Sequence, residues 1–575
     1  MNQIGIIIRL IRLIQQVTCL LLKKKLYWII PIFLLLAVGI TTTSYKDNSF
    51  EIVKNIDIYT SLFKELNTYY VDEIDPGEVV KTSIDEMLKS LDPYTNYIPE
   101  SDIEDYRFMT TGNYGGIGAL IRKNDDRVMV ADPYEGFPAQ KAGLRAGDVL
   151  IKIDDFDTKG KSLPDVSEKL KGQPGTKINV VIKRPGQEEK IEKEITRKKI
   201  HVPAVPWYGM RDDKIGYIRL SNFTHKVSED VKDAVLDLKS QGAESYILDL
   251  RGNPGGLLME AVEIVNLFVP KGELIVSTKG KVEKWNKEYY AQKEPIIPQM
   301  PVVAMVNSGS ASASEIVSGA LQDLDRGVVV GTRTFGKGLV QTTRPLSYNA
   351  RLKITTAKYY IPSGRCIQAL DYSNRKEDGS VGKVPDSLIT SYSTKNGRTV
   401  YDGGGIMPDI ELEQPNLSKI TVSLVRKQLI FDFATEFVNK NDSIDDPATY
   451  KISDETFDAF KVFLKDKTYD YKLRSEQELD KLKQMLKREK YLKIVENEIE
   501  ALSKKLEHDK EQDLITFQDE IREMISEEIS SRYYYQKGRI QTALQYDMYL
   551  DTAMNILKNK ERYDTILTVK EVESE

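Results

Sequence analysis

Three strings in the middle of the chain combine polar and small residues in patterns that could do chemistry. Leu248-Asp-Leu-Arg-Gly-Asn-Pro-Gly-Gly256 reads as a strand running into a glycine-rich turn. Val303-Ala-Met-Val-Asn-Ser-Gly-Ser-Ala-Ser-Ala-Ser-Glu-Ile316 reads as a strand ending in a small-residue turn before an apolar helix. Gly331-Thr-Arg-Thr-Phe-Gly-Lys-Gly-Leu-Val-Gln341 sets a lysine between glycines. A serine is inert at neutral pH unless a base lies within hydrogen-bond reach. Histidine is the usual base, but only His201, His225 and His508 occur, and there is no G-x-S-x-G elbow. His225 reads as a solvated loop residue. A lysine serves instead if burial and neighbours lower its pKa from about 10.4 to about 7–8, at a cost of about 4 kcal/mol. Lys337, beside Phe335, Gly336 and Gly338, has room to enter such a pocket; the bland alternative is a surface lysine in a tight turn.

Other chemistries are excluded. Gly331, Gly336 and Lys337 fit G-x-x-x-x-G-K, but a phosphate-binding loop needs Ser or Thr next and then a helix. Position 338 is glycine, and Leu339-Val-Gln-Thr-Thr-Arg344 reads as strand. Two cysteines, Cys19 and Cys366, rule out a disulfide scaffold and a multi-thiolate metal site, and no H-x-x-x-H pair exists. With 87 acidic against 82 basic residues, net −5, no broad nucleic-acid surface is expected.

The elements that must position these strings form a multidomain α/β (α+β) chain of 575 residues. Residues 1–25 are a basic segment ending in Lys23-Lys-Lys25. Leu26–Ile40, extended by Thr41–Thr43, is an uncharged run about long enough to span a bilayer. The positive-inside rule leaves the N-terminus cytoplasmic and exports the rest. A retained anchor at 26–43 is preferred to a cleaved signal peptide, although Ala37-Val-Gly39 would pass as a cleavage site. An exported chain without cysteine pairs fits a bacterial envelope, anchored in the inner membrane with the catalytic region periplasmic. Residues 49–113 carry helical periodicity, 201–413 alternate β runs with helices, and 414–575 are helical and charge-rich.

Between them, Tyr114-Gly-Gly-Ile-Gly118 and Ala142-Gly-Leu-Arg-Ala-Gly-Asp-Val-Leu-Ile151 resemble the carboxylate-binding loop and the re-entrant turn of PDZ domains, which places one at 114–200. Successive glycines let backbone N–H groups converge on a terminal carboxylate. Gly115, Gly116, Ile117 and Gly118 are the expected binding residues, with the peptide adding as a strand to the sheet edge.

Taken together, the three central strings resemble the carboxyl-terminal processing, or tail-specific, serine peptidases, which join a PDZ domain to a Ser/Lys core. The resemblance covers about residues 50–413 and leaves out the tail; the segment 370–404 is longer than in the short form of the family. It implies Ser312 as nucleophile, Lys337 as general base and Gln341 as the residue that orients the lysine. Ser310 and Ser314 would then be backbone-capping neighbours. An oxyanion hole needs two backbone donors: Ala313 is one, and Gly255 or Gly256 the other. Glu315 and Asp323 match polar positions of the family segment and are expected to support the structure. The implied function is an envelope endopeptidase that reads the free C-terminus of protein substrates and cleaves near it, without metal or organic cofactor. The rival is a catalytically silent PDZ adaptor. Expected partners are substrates with free C-termini, the membrane through the N-terminal segment, and a second copy through the helical regions.

Overall fold

The computed structural model describes residues 49–568 except 213, 376–378, 415 and 507–509. The expected membrane segment at 26–43 lies outside the described residues, and among these no helix is long and apolar enough to cross a membrane. The chain divides at residue 87. In the first unit the helix Ser49–Tyr69 buries none of its residues, and Phe50, Ile52, Val53, Ile56 and Leu62 are exposed.

The second unit opens its PDZ region with the strand Asn113–Gly116, which pairs antiparallel with Lys198–His201 and ties off both ends of the module close to the expected limits. Inside, strands run in the order Ala119–Asn124, Arg127–Pro133, Val149–Ile153, Lys177–Lys183, Lys190–Thr196. In Lys177–Lys183 the alternating Ile178, Val180 and Ile182 point into the core beside Val128, Leu150 and Val166, as a half-buried strand requires. The helix Leu163–Leu170 starts on Ser162, whose Oγ accepts from the Asp165 amide while Asp165 Oδ2 accepts from that of Ser162.

The core of the 201–413 region is a six-stranded sheet, Trp207–Arg211, Ile215–Arg219, Ser245–Asp249, Val302–Val306, Val328–Gly331 and Ile410–Glu411. All neighbours after the first pair are parallel. Ser245–Asp249 and Val302–Val306 are buried throughout, which a strand tolerates only when both faces are covered. Helices Val227–Ser240, Leu258–Asn266 and Ala313–Asp323 cover one face. The other is covered from the far end of the chain: Tyr549, Leu550, Ala553 and Ile556 of Met548–Lys558 pack on Tyr217, Ile247, Val303 and Met305. A second sheet carries Leu339–Pro345 on Arg351–Tyr360.

The first part of the tail has its own core of Leu424, Phe433, Phe457, Phe460, Ile521 and Ile525, and its last helices pack on the six-stranded sheet. The segment 370–404 forms two hairpins, Leu370–Arg375 with Val381–Lys383 and Ser391–Ser393 with Thr399–Tyr401.

Candidate active site

The strand Val302–Val306 ends at Asn307, and the helix Ala313–Asp323 starts immediately after Ser312. Ser312 is half-buried and takes φ 57° and ψ −110°, a backbone state that costs a non-glycine residue about 1–3 kcal/mol and persists only where neighbours impose it. They do so here. Its amide donates to Glu315 Oε2 at 2.7 Å, and its carbonyl accepts from Tyr359 Oη at 3.2 Å and Ile316 N at 2.9 Å.

Glu315 is fully buried and gathers both halves of the site. Oε2 also accepts from the Lys337 amide at 2.9 Å, and Oε1 from the Gly336 amide at 2.7 Å and Thr334 Oγ1 at 2.6 Å. One carboxylate thus fixes the backbones of Ser312 and Lys337 relative to each other. Burial pushes its pKa up, while the bonds from Thr334 and the Lys337, Ser312 and Gly336 amides pull the other way. The loop is pinned further by Phe335 N to Ser310 O at 3.0 Å and Gly338 N to Gln368 Oε1 at 2.8 Å. Gly336 has φ +85°, and a Cβ there would sit 2.4 Å from that of Ala369, so a side chain is excluded.

The Lys337 ammonium nitrogen lies 4.2 Å from the centre of the Tyr94 ring. Burial, and then the charge of Lys353, lower its pKa from 10.5 to about 8, against the opposing pull of Glu315 and Asp92. Gln341 Nε2 donates to Thr355 Oγ1 at 3.1 Å, and no hydrogen bond among the described residues joins it to Lys337. His225 is exposed on a loop. After Gly331 the chain runs irregularly to the strand Leu339–Pro345, so the segment lacks the helix a phosphate loop needs.

The neighbouring serines are spent on the backbone. Ser310 Oγ donates to Leu250 O at 2.8 Å and Ser314 Oγ to Asn253 O at 2.9 Å, both fully buried. Asp323 is structural: its Oδ1 pairs with the buried Arg365 at 2.8 Å and its Oδ2 accepts from Ser363 N at 3.0 Å.

The turn 252–256 lies against Ser312. A Cβ on Gly255 would come within 2.6 Å of Ala311 O and 2.8 Å of Ser312 Cβ, and its φ is +96°. Of the two alternatives expected from this turn, the Gly255 amide already donates to Asn253 Oδ1 at 2.9 Å. Gly256 is exposed, and neither its amide nor that of Ala313 makes a hydrogen bond to another described group. Both amides are therefore available as donors. Asn253 joins the strings by accepting at its carbonyl from Ala311 N at 3.0 Å.

Behind the turn lies a charge network that sequence reasoning missed. Asp249, fully buried, accepts from Tyr217 Oη at 2.6 Å, Arg219 Nη1 at 2.5 Å, Arg251 Nε at 2.9 Å and Arg251 Nη2 at 2.7 Å. Burial would raise its pKa, but the Arg251 and Arg219 guanidinium groups hold it well below the usual range. Arg251 also forms a bidentate pair with Asp547. The signal available was charge inside an apolar strand, since Asp249 and Arg251 can be buried there only as partners.

In the PDZ region, Gly115 and Gly116 sit in the ladder with Lys198 and Lys199, so the loop proper is Ile117–Gly118. Gly118 has φ +78°, and the Ile117 carbonyl accepts from Ala139 N at 2.8 Å. Burial raises the pKa of Tyr114, and the facing amides of Ala119 and Gly118 oppose it. The strand Ala119–Asn124 stands at the edge of its sheet. The tail meets its far end, with Arg122 3.2 Å over the Phe431 ring and Gln428 Nε2 3.4 Å from Lys123 O.

Comparison with known proteins gives three family matches: peptidase family S41 over residues 214–374, a PDZ domain over 129–184, and "Probable PDZ-protease, C-terminal helical domain" over 420–557. A "Carboxy-terminal-processing protease" of Bartonella bacilliformis is 37% identical over 359 residues, 61% of this chain and 81% of that protein. A "Probable CtpA-like serine protease" of Staphylococcus aureus is 39% identical over 316 residues, 54% of this chain and 62% of that protein. Among solved structures, the photosystem II D1 C-terminal processing protease is 27% identical with a TM-score of 0.34, covering 62% of this chain and 92% of that one. The PDZ domain of a carboxy-terminal protease from Vibrio cholerae, in complex with peptide, is 28% identical with a TM-score of 0.15, covering 16% and 99%.

Proposed function

Since this chain belongs to the carboxy-terminal-processing serine peptidases of family S41, we propose that it reads the free C-terminus of protein substrates through its PDZ domain and cleaves near it with a Ser312/Lys337 pair. The observation that carries the reading is the Glu315 carboxylate, which binds the backbones of Ser312 and Lys337 while the lysine amine is held at a pKa of about 8.

The neutral Lys337 amine takes the Ser312 hydroxyl proton as Oγ bonds to the substrate carbonyl carbon. The oxyanion accepts from the amides of Ala313 and Gly256. Collapse breaks the C–N bond, and the lysine proton passes to the departing amine. Water then hydrolyses the acyl ester, again with Lys337 as base. The amides around Ile117 and Gly118 receive the tail carboxylate, and the tail adds to the edge strand at Ala119–Ile121. We place the enzyme at a bacterial envelope, anchored by residues 26–43; protein lacking residues 1–45 should be soluble and active.

Amidating a substrate's C-terminus tests the tail reading. It should slow cleavage of a long tailed protein at low concentration about ten- to a hundredfold, through the loss of one or two charge-assisted bonds. Equal rates for acid and amide would make the PDZ module a lid or spacer instead.

A further inference from the structure

The helix Met548–Lys558 covers the catalytic sheet, and its first residue contact with the site is made by its N-cap. Asp547 Oδ1 accepts from the amides of Tyr549 at 3.0 Å and Leu550 at 3.1 Å, and also from Arg251 Nη1 at 2.9 Å; Oδ2 accepts from Arg251 Nη2. Both partners are nearly buried, at 12% and 15% side-chain exposure. Arg251 is the residue before the turn 252–256, and its other edge grips Asp249. Burial opposes the charged form of Arg251, but Asp249 and Asp547 together raise its pKa well above normal. Two buried aspartates and two arginines, Arg219 and Arg251, balance to zero.

We infer that Asp547 is a positioning residue for hydrolysis: through Arg251 it holds the turn that presents the Gly256 amide to the oxyanion, so the helical tail supplies part of the active site. This rests on the Ser312/Lys337 reading above. The turn touches the nucleophile at van der Waals limits through Gly255, so rotation of Arg251 towards water displaces a donor whose alignment matters only when the oxyanion forms. The loss belongs to kcat rather than to substrate capture.

The test is Asp547→Asn in the full-length protein. Asn caps a helix as well as Asp, so the oxygen facing the Tyr549 and Leu550 amides stays, and the apolar face of the helix remains docked. Only the charge opposite Arg251 is lost, replaced by a donor facing a donor. Asp547→Ser, another good cap too short to reach the guanidinium, is the second variant. In both, kcat should fall about 10- to 100-fold with KM within about threefold and an unchanged circular dichroism spectrum. The inhibition constant of a peptide aldehyde, which forms the oxyanion on the enzyme, should rise in the ratio by which kcat/KM falls. A kcat within about twofold of wild type in the folded variants overturns the proposal, as does a lowered kcat with unchanged aldehyde binding. A Ser312→Ala control that still cleaves at the normal rate removes the premise and the proposal together.

Discussion

Lys337 is the residue whose chemistry decides whether this site can work. With a pKa of about 8, about one molecule in ten carries the neutral base at pH 7. Activity should therefore climb as pH rises through about 8 and level off above it, provided the protein stays folded, and a pH–rate profile of kcat reads this directly. Lys337→Arg should be inactive across the range, because a guanidinium keeps its proton. Stability carries the opposite mark of the same shift. The folded-state pKa lies below the unfolded value of 10.5, so below about pH 8 folding pays to bury a charge, and the penalty fades as pH rises towards 10.5. Lys337→Met should accordingly raise stability by up to about 3 kcal/mol at pH 7 and by little at pH 10.5, in denaturant titrations at the two pH values. At this scale Ser312 and Lys337 were singled out by family resemblance, and the small residues around Lys337 already suggested a pocket. The commitment of the Gly255 amide to Asn253 Oδ1 was not, because it depends on which way a buried side chain turns within a loop. Nor was the Gln341 hydrogen bond to Thr355, its neighbour across the strand pair beside a register shift.

At the scale of elements, the proposed catalysis depends on two turns kept in contact: 252–256 after one parallel strand and 307–312 after the next. The interlock is geometric, since only a residue without Cβ fits between Ala311 O and Ser312 at position 255. Gly255→Ala should lower kcat at least about a hundredfold, because the displaced groups are the proposed nucleophile and one proposed oxyanion donor, the Ala313 amide. Its cost to stability is about 1–3 kcal/mol from the positive φ and the overlap, which thermal unfolding would register alongside the kinetics. Loss of folding without a disproportionate loss of turnover per folded molecule would show the contact to be packing alone. Both strands could be read in the sequence as apolar runs ending in small residues. The ion-pair network behind them could not be assembled, because its members Arg219, Asp249, Arg251 and Asp547 are spread over more than half the chain and share no local period.

For the whole molecule, the tail helices complete the α/β core. Leu544, Tyr549, Leu550, Ile556 and Tyr563 are all buried on or near the sheet. At about 1.5–3 kcal/mol for each large side chain, they contribute about 7–15 kcal/mol, comparable to the entire stability of an ordinary domain. A chain ending at residue 543 should therefore be insoluble or unfolded, as measured by its soluble fraction and near-ultraviolet circular dichroism, whereas a tail that was a mere appendage would be dispensable. Periodicity announces that Tyr549, Leu550, Ala553 and Ile556 share a buried face but is silent about the surface they bury, so the docking of these helices on the sheet was not legible. The division into a PDZ module, an α/β core and helices was legible because each has a different hydrophobic period.

The central claim is that Ser312 attacks and Lys337 activates it. Its most direct test is the steady-state cleavage rate of a tailed protein substrate by the wild type, Ser312→Ala and Lys337→Ala, each verified as folded. Turnover should vanish in both variants while binding of the tail persists; near-normal turnover in either would contradict the account.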